Sequence, residues 1–192
     1  MSTISGPRRL TAVVGATAFL VTMLAGPAAA TDTVVLAITG SGLTASIADL
    51  TFTSVPYQNS AHDVTGTMTL TADDSTGSGA GWNVTVMSSA FTWVGTANGG
   101  IDIPASGLAL TTPAAPSFIA GQAIGPALST GPQVPPTSPI GRLDTPRKTL
   151  VATAAYGSGT YSQALGVTLT VPAMSRVGTY TGTLTTTITS AP

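Results

Sequence analysis

A strict two-residue alternation of apolar and hydroxyl-bearing side chains recurs along this chain, and it constrains the fold more than any other feature. Val64, Gly66, Met68 and Leu70 alternate with Thr65, Thr67, Thr69 and Thr71. Trp82, Val84 and Val86 alternate with Asn83 and Thr85. Leu165, Val167, Leu169 and Val171 alternate with Gly166, Thr168 and Thr170. Tyr180, Gly182, Leu184, Thr186 and Ile188 alternate with Thr181, Thr183, Thr185 and Thr187. Successive side chains of a strand point to opposite faces, so each run describes a strand with one face in a core and one in water. Threonine suits the wet face, because its branched Cβ fits the pleat and its hydroxyl stays solvated. Two shorter β-rich runs, 33–38 and 43–52, bring the total to six. No segment after residue 30 carries a 3.6-residue apolar stripe. The expectation is an all-β chain folded as an antiparallel, Ig-like sandwich.

Composition narrows the chemistry. Of 192 residues only 7% are charged, glutamate and cysteine are absent, and lysine and histidine occur once each, as Lys148 and His62. A His-rich metal centre, a thiolate site and a basic nucleic-acid surface are therefore excluded, and no cofactor is expected. Hydrophobic residues make up 43%, enough to build a core without disulfides.

Residues 1–30 have the pattern of a secretory signal peptide. Arg8 and Arg9 form a positive start, an apolar run follows from Leu10 to Leu24, and Gly26-Pro27 precedes Ala28-Ala29-Ala30. The helix breaker and the small-residue triplet are processing features that a retained membrane anchor does not need. Cleavage after Ala30 leaves one domain, 31–192, with four basic residues against seven aspartates, a net charge of −3. That charge offers no attraction to nucleic acid or an anionic membrane. The absence of cysteine excludes a lipid-modified anchor, and the end of the chain carries no sorting tail. A secreted chain of this kind stays on a surface by binding.

Between residues 112 and 148 the alternation fails. Eight of the fourteen prolines fall here: Pro113, Pro116, Pro126, Pro132, Pro135, Pro136, Pro139 and Pro146. Proline cannot donate to a ladder, so the stretch reads as a long insertion or loose edge and not a central strand: a surface loop that folding can spare, or else a binding loop or partner-docking arm.

Few residues offer catalysis. His62-Asp63 is the one His–carboxylate neighbour pair, placed in a polar turn before a strand, and no Gly-x-Ser-x-Gly elbow accompanies it. Asp73-Asp74 with Ser75, Gly77 and Ser78 lacks the register and closing carboxylate of a calcium loop and reads as a turn between strands. Trp82 is either a core residue or the anchor of an apolar recognition surface. Tyr180 suits a tyrosine corner, its hydroxyl capping the preceding loop. The chain is not expected to be an enzyme.

Two blocks carry a family resemblance. Asp73-Asp74-Ser75-Thr76-Gly77-Ser78-Gly79-Ala80-Gly81-Trp82-Asn83-Val84-Thr85-Val86 resembles the first signature of WxL-domain surface proteins of Gram-positive bacteria, with an actinobacterial-type composition. The stretch from Val171-Pro172-Ala173 through Gly178-Thr179-Tyr180-Thr181-Gly182-Thr183-Leu184-Thr185-Thr186-Thr187-Ile188 resembles the second. The resemblance implies an exported, β-rich, non-catalytic module held non-covalently on the cell wall, with peptidoglycan or other surface proteins as partners. It implies Trp82, Val84, Thr186 and Ile188 as the wall-binding positions. Val84 stands in place of a Leu, Thr186 in place of the second Trp and Ile188 in place of the second Leu. The competing reading is a structural or matrix subunit that assembles through strand edges. Amino-terminal sequencing of exported material should begin at Thr31; a membrane-bound chain that still starts at Met1 would contradict the cleavage site.

Overall fold

The computed structural model describes residues 35–125 and 131–190; the leader and its cleavage site at Ala30 lie outside them. Contacts divide the chain at Ala37 and Ile38, and the sandwich belongs to the unit that starts at Ile38. Its strands are β1 (Leu43–Ile47), β2 (His62–Asp74), β3 (Trp82–Ser88), β4 (Thr92–Val94), β5 (Leu108–Pro113), β6 (Ser117–Gly121), β7 (Gly141–Arg142), β8 (Arg147–Ala152), β9 (Gly159–Val171), β10 (Thr179–Thr181) and β11 (Leu184–Ser190). Every ladder is antiparallel. No α-helix occurs among the described residues. The all-β sandwich read from the alternation is the fold observed.

The larger sheet has the order β1-β2-β9-β5-β7, with β6 also on β9. Strands β2 and β9 are 13 residues each and pair from His62↔Val171 to Asp74↔Gly159 without a break. The smaller sheet is β11-β3-β8, and β4 and β10 form a separate ribbon. Threonine ladders run along the wet face. Thr160 and Thr170 donate across the β2–β9 ladder to the carboxylates of Asp73 and Asp63, each at 2.6 Å.

The core lies between the two sheets. Met68, Leu70 and Ala72 from β2, Val84 and Val86 from β3, Leu150 from β8 and Leu165 and Val167 from β9 are buried in one cluster. Trp82 is its largest member and is fully buried. Its ring lies against Tyr161 of the opposite sheet, centroids 6.1 Å apart and tilted by 42°. The indole N–H donates to Gly157 O at 2.9 Å, which removes the one polar cost of burying a tryptophan. Two glycines make this seat. A Cβ on Gly157 would stand 2.5 Å from Ala152 Cβ and 2.9 Å from Trp82 Nε1, and one on Gly81 would stand 2.6 Å from Ala152 O. Both have positive φ, +86° and +75°, where side chains are disfavoured. Buried Gln163 adds a polar cross-link, its Nε2 donating to Ala114 O and Thr149 O at 3.0 Å each.

The fold departs from the sequence reading at four places, the first being that the run 180–188 is not one strand but breaks at Gly182 and Thr183 into β10 and β11, which lie in different sheets. The run 43–52 is a strand only over Leu43–Ile47. After it, Leu50 and Phe52 turn across the bare backbone of Gly66, where a Cβ would meet them at 3.0 and 3.1 Å. The described part of run 33–38 forms no strand.

The fourth place is the Pro-rich stretch 112–148, which over part of its length is sheet edge rather than loop. Within it β6 pairs with β9, placing β5 and β6 end to end along one edge of β9. Gln133 exchanges two backbone hydrogen bonds with Val151, at 2.8 and 3.0 Å, along the edge of β8. Leu143 is fully buried. Prolines Pro132 and Pro135 around Gln133 limit this contact to one bridge, so the stretch caps an edge rather than extending a sheet. Removing 131–143 should therefore weaken cooperative unfolding. Residues 126–130 lie outside the described residues.

Replacing Trp82 by Ala should cost about 3–5 kcal/mol, the range for emptying a large aromatic site, measured by denaturant unfolding. Tyr161 supplies a pH test. Burial, and then the charge of Asp74, push its phenol above the ordinary 10.0. The folded state then holds this proton more tightly than the unfolded state. Its contribution is complete below pH 10.0 and is lost as pH rises through the higher folded value. Tyr161→Phe should show a shallower loss of melting temperature above that pH than the parent chain; equal slopes would contradict the assignment.

Candidate binding cleft

The four wall-binding positions named from the sequence come together on one face. Strands β3 and β11 are neighbours, with Trp82 opposite Ser190, Val84 opposite Ile188 and Val86 opposite Thr186. Two blocks about a hundred residues apart thus form one antiparallel pair. The face they share is the core face. Trp82 and Val84 are fully buried, while Thr186 and Ile188 are half-buried at the sheet edge. In this geometry the indole and the valine hold the two sheets together and present no surface to a ligand.

An open cleft of about 550 Å³ lies elsewhere, at the end of the sandwich where β2 begins and β9 ends. Its floor is apolar, built by Val64 of β2, Leu169 and Val171 of β9, Phe91 and Ile103. One wall is the strap 50–58, which leaves β1 and crosses Gly66. The other is the segment 172–182, which includes β10. One backbone hydrogen bond, Met174 N–H to Gln58 O at 3.0 Å, ties the walls. Met174 takes a positive φ of 58° to make it, a conformation non-glycine residues adopt only with strain.

The polar groups of the cleft come from both walls. Tyr180 stands opposite Trp93 in the β4–β10 ribbon, and its hydroxyl donates to Arg176 O at 2.8 Å. This is the tyrosine corner expected from the sequence, and it fixes the turn that carries Arg176. Arg176 is exposed. Tyr57, on the strap, is 48% exposed. His62 lines the cleft between them, and both of its ring nitrogens are buried without a hydrogen-bond partner. A buried imidazole with two idle nitrogens is uncommon, because each forfeits its bonds to water.

His62 and Asp63 are not brought together as a catalytic pair. They open β2 rather than lying in a turn before it, because the β2–β9 ladder runs on to Val171. Adjacent strand residues face opposite ways, so Asp63 lies on the exposed side, bonded to Thr170. Asp73 and Asp74 are likewise occupied by the turn they begin. Asp74 Oδ1 accepts from Thr76 N–H at 3.0 Å and from the Thr76 hydroxyl at 2.6 Å, and Asp73 accepts from Ser75 and Thr160. No group of three metal-ligating side chains occurs among the described residues.

Comparison with protein-family models, with curated proteins and with solved structures finds no match to this chain.

Sequence reasoning did not assemble this cleft, since its walls are the non-alternating segments 50–58 and 172–182. The available signal was Tyr57 and the lone His62 placed where alternation stops and starts. His62→Leu should leave the melting temperature unchanged or slightly raised, because no bond is lost and two idle nitrogens are removed. A marked fall would show that the imidazole has a partner.

Proposed function

We propose that this chain is an exported, non-catalytic surface protein that associates non-covalently with the bacterial cell wall through a degenerate WxL-like domain. The observation that carries the reading is the pairing of β3 with β11, which turns the two signature-like blocks into one structural unit. The departures at Thr186 and Ile188 fall at the half-buried sheet edge, where a smaller side chain opposite Val86 empties little of the core.

The wall contact is assigned to the cleft rather than to Trp82. Peptidoglycan offers sugar rings and free carboxylates. Tyr57 and Tyr180 supply rings against which a sugar can pack, and Arg176 supplies a cation that forms no ion pair among the described residues. A second reading, a matrix subunit built by strand-edge pairing, draws on a different observation. The core-facing residues of β1 and β11, one edge strand of each sheet, are only half-buried.

The test is retention on purified, protein-free cell walls after a salt wash. The parent chain should sediment with the walls. Arg176→Ser and Tyr57→Ala, both at exposed positions, should keep the parent melting temperature and lose most of the retention. Retention equal to the parent in both variants would move the contact out of the cleft, and no retention of the parent would overturn wall association.

A further inference from the structure

Besides the cleft at the end of the sandwich, the core is also uncovered along one side. Core-facing residues of β2, β3 and β9 are buried along most of their length. Those of β1 (Leu43, Ala45, Ile47) and β11 (Leu184, Thr186, Ile188) are all only half-buried. Each of these two strands is one edge of its sheet, and no ladder joins them among the described residues. An open cleft of about 690 Å³ lies between them and reaches the core residues Leu108 and Phe91.

The edge of β1 is chemically ready for another strand. Ala48 N–H donates to Thr69 O, and Gly42 O accepts from Ser75 N–H, so the even-numbered residues bond to β2. Antiparallel alternation then turns the N–H and C=O groups of Leu43, Ala45 and Ile47 toward the seam. Such an edge templates addition of a further strand unless something blocks it. β1 itself carries no charge, no proline and no bulge, and β11, which lies beside it, forms no ladder with it.

The chain also carries one strand-like run of which the described residues, 35–38, join no strand. Residues 33–38 read Thr-Val-Val-Leu-Ala-Ile, apolar and β-branched. Val35, Leu36 and Ile38 are 84%, 82% and 88% exposed, and no described residue of the run joins a ladder. An exposed apolar run and an edge strand beside a half-buried seam form a complementary pair.

We infer that residues 33–38 of one copy of this chain add as a strand to the β1 edge of a second copy, covering the seam between β1 and β11. The inference rests on the subunit reading and is independent of wall binding. The donor of one copy and the acceptor of the next are different surfaces, so the contact is heterologous. It leaves an open acceptor at one end and a spare donor at the other, which builds filaments unless two copies exchange strands reciprocally.

The experiment uses the exported chain, followed by light scattering across a concentration series and by electron microscopy. Association that grows with concentration, as either filaments or a closed dimer, is expected. Leu36→Asp with Ile38→Asp removes the donor at exposed positions, so the melting temperature of the isolated chain should hold while association is lost. Ala45→Pro removes one outward N–H of β1 without touching the ladder to β2, and should also abolish association. A synthetic peptide of residues 31–39 should compete with association and raise the melting temperature of the donor variant. A chain that stays monomeric at all concentrations overturns both this inference and the subunit reading. A chain that associates equally well in all three substitutions overturns this inference alone. Protection of residues 35–38 from hydrogen exchange in a monomer would show the run folding on its own chain, and would overturn the second copy as its partner.

Discussion

The hydrogen bond from the Trp82 indole to Gly157 O is the contact on which the rest of the sandwich depends. It joins the start of β3 in the smaller sheet to the turn that leads into β9 in the larger one. Its geometry explains the local sequence on both sides. Gly81 and Gly157 are glycines because a Cβ at either would collide with the Ala152 region, and in the case of Gly157 with the indole itself. The acidic turn before Trp82 closes on its own side chains: Thr76 caps Asp74, and Ser78 meets Thr76 at 2.9 Å. A block that resembles a binding signature is here built as the joint between two sheets.

From this joint the core follows in order. Tyr161 packs on the indole and fixes the other end of its ring system by donating to Gln122 O at 2.7 Å. Gln122 in turn accepts from Gly157 N–H through its side chain at 2.8 Å. The Pro-rich stretch is thereby tied back to the same turn that receives the indole. That is why a segment poor in ladder donors still belongs to the fold.

How much was legible in the sequence depends on the physical period involved. The long strands announced themselves, because β2, β3, β9 and β11 have one face in the core and threonine on the other, and burial with a period of two writes directly into residue type. Strand β6 was hidden for the opposite reason. Its residues Ser117–Gly121 are exposed on both faces, so no alternation marks them, and pairing with β9 comes from backbone bonds that any residue can make. Trp82 was readable as a core residue from the face it shares with Val84 and Val86, although a tryptophan also serves as a recognition anchor and its seat could not be read. The partner that decides the matter, Gly157, lies 75 residues away. The cleft was illegible for a related reason: strap and turn meet through the single backbone bond between Gln58 and Met174, which carries no side-chain signature.

The central claim is that Trp82 belongs to the joint between the sheets and is not a surface contact. Native-state hydrogen exchange of its indole N–H tests this directly, because the proton leaves only when the bond to Gly157 opens to water. Exchange with the same free energy of opening as global unfolding, and with the same denaturant dependence, is the result this structure requires. Exchange through a small local fluctuation, at a fraction of the unfolding free energy and with little denaturant dependence, would place the indole at an accessible surface and contradict the account.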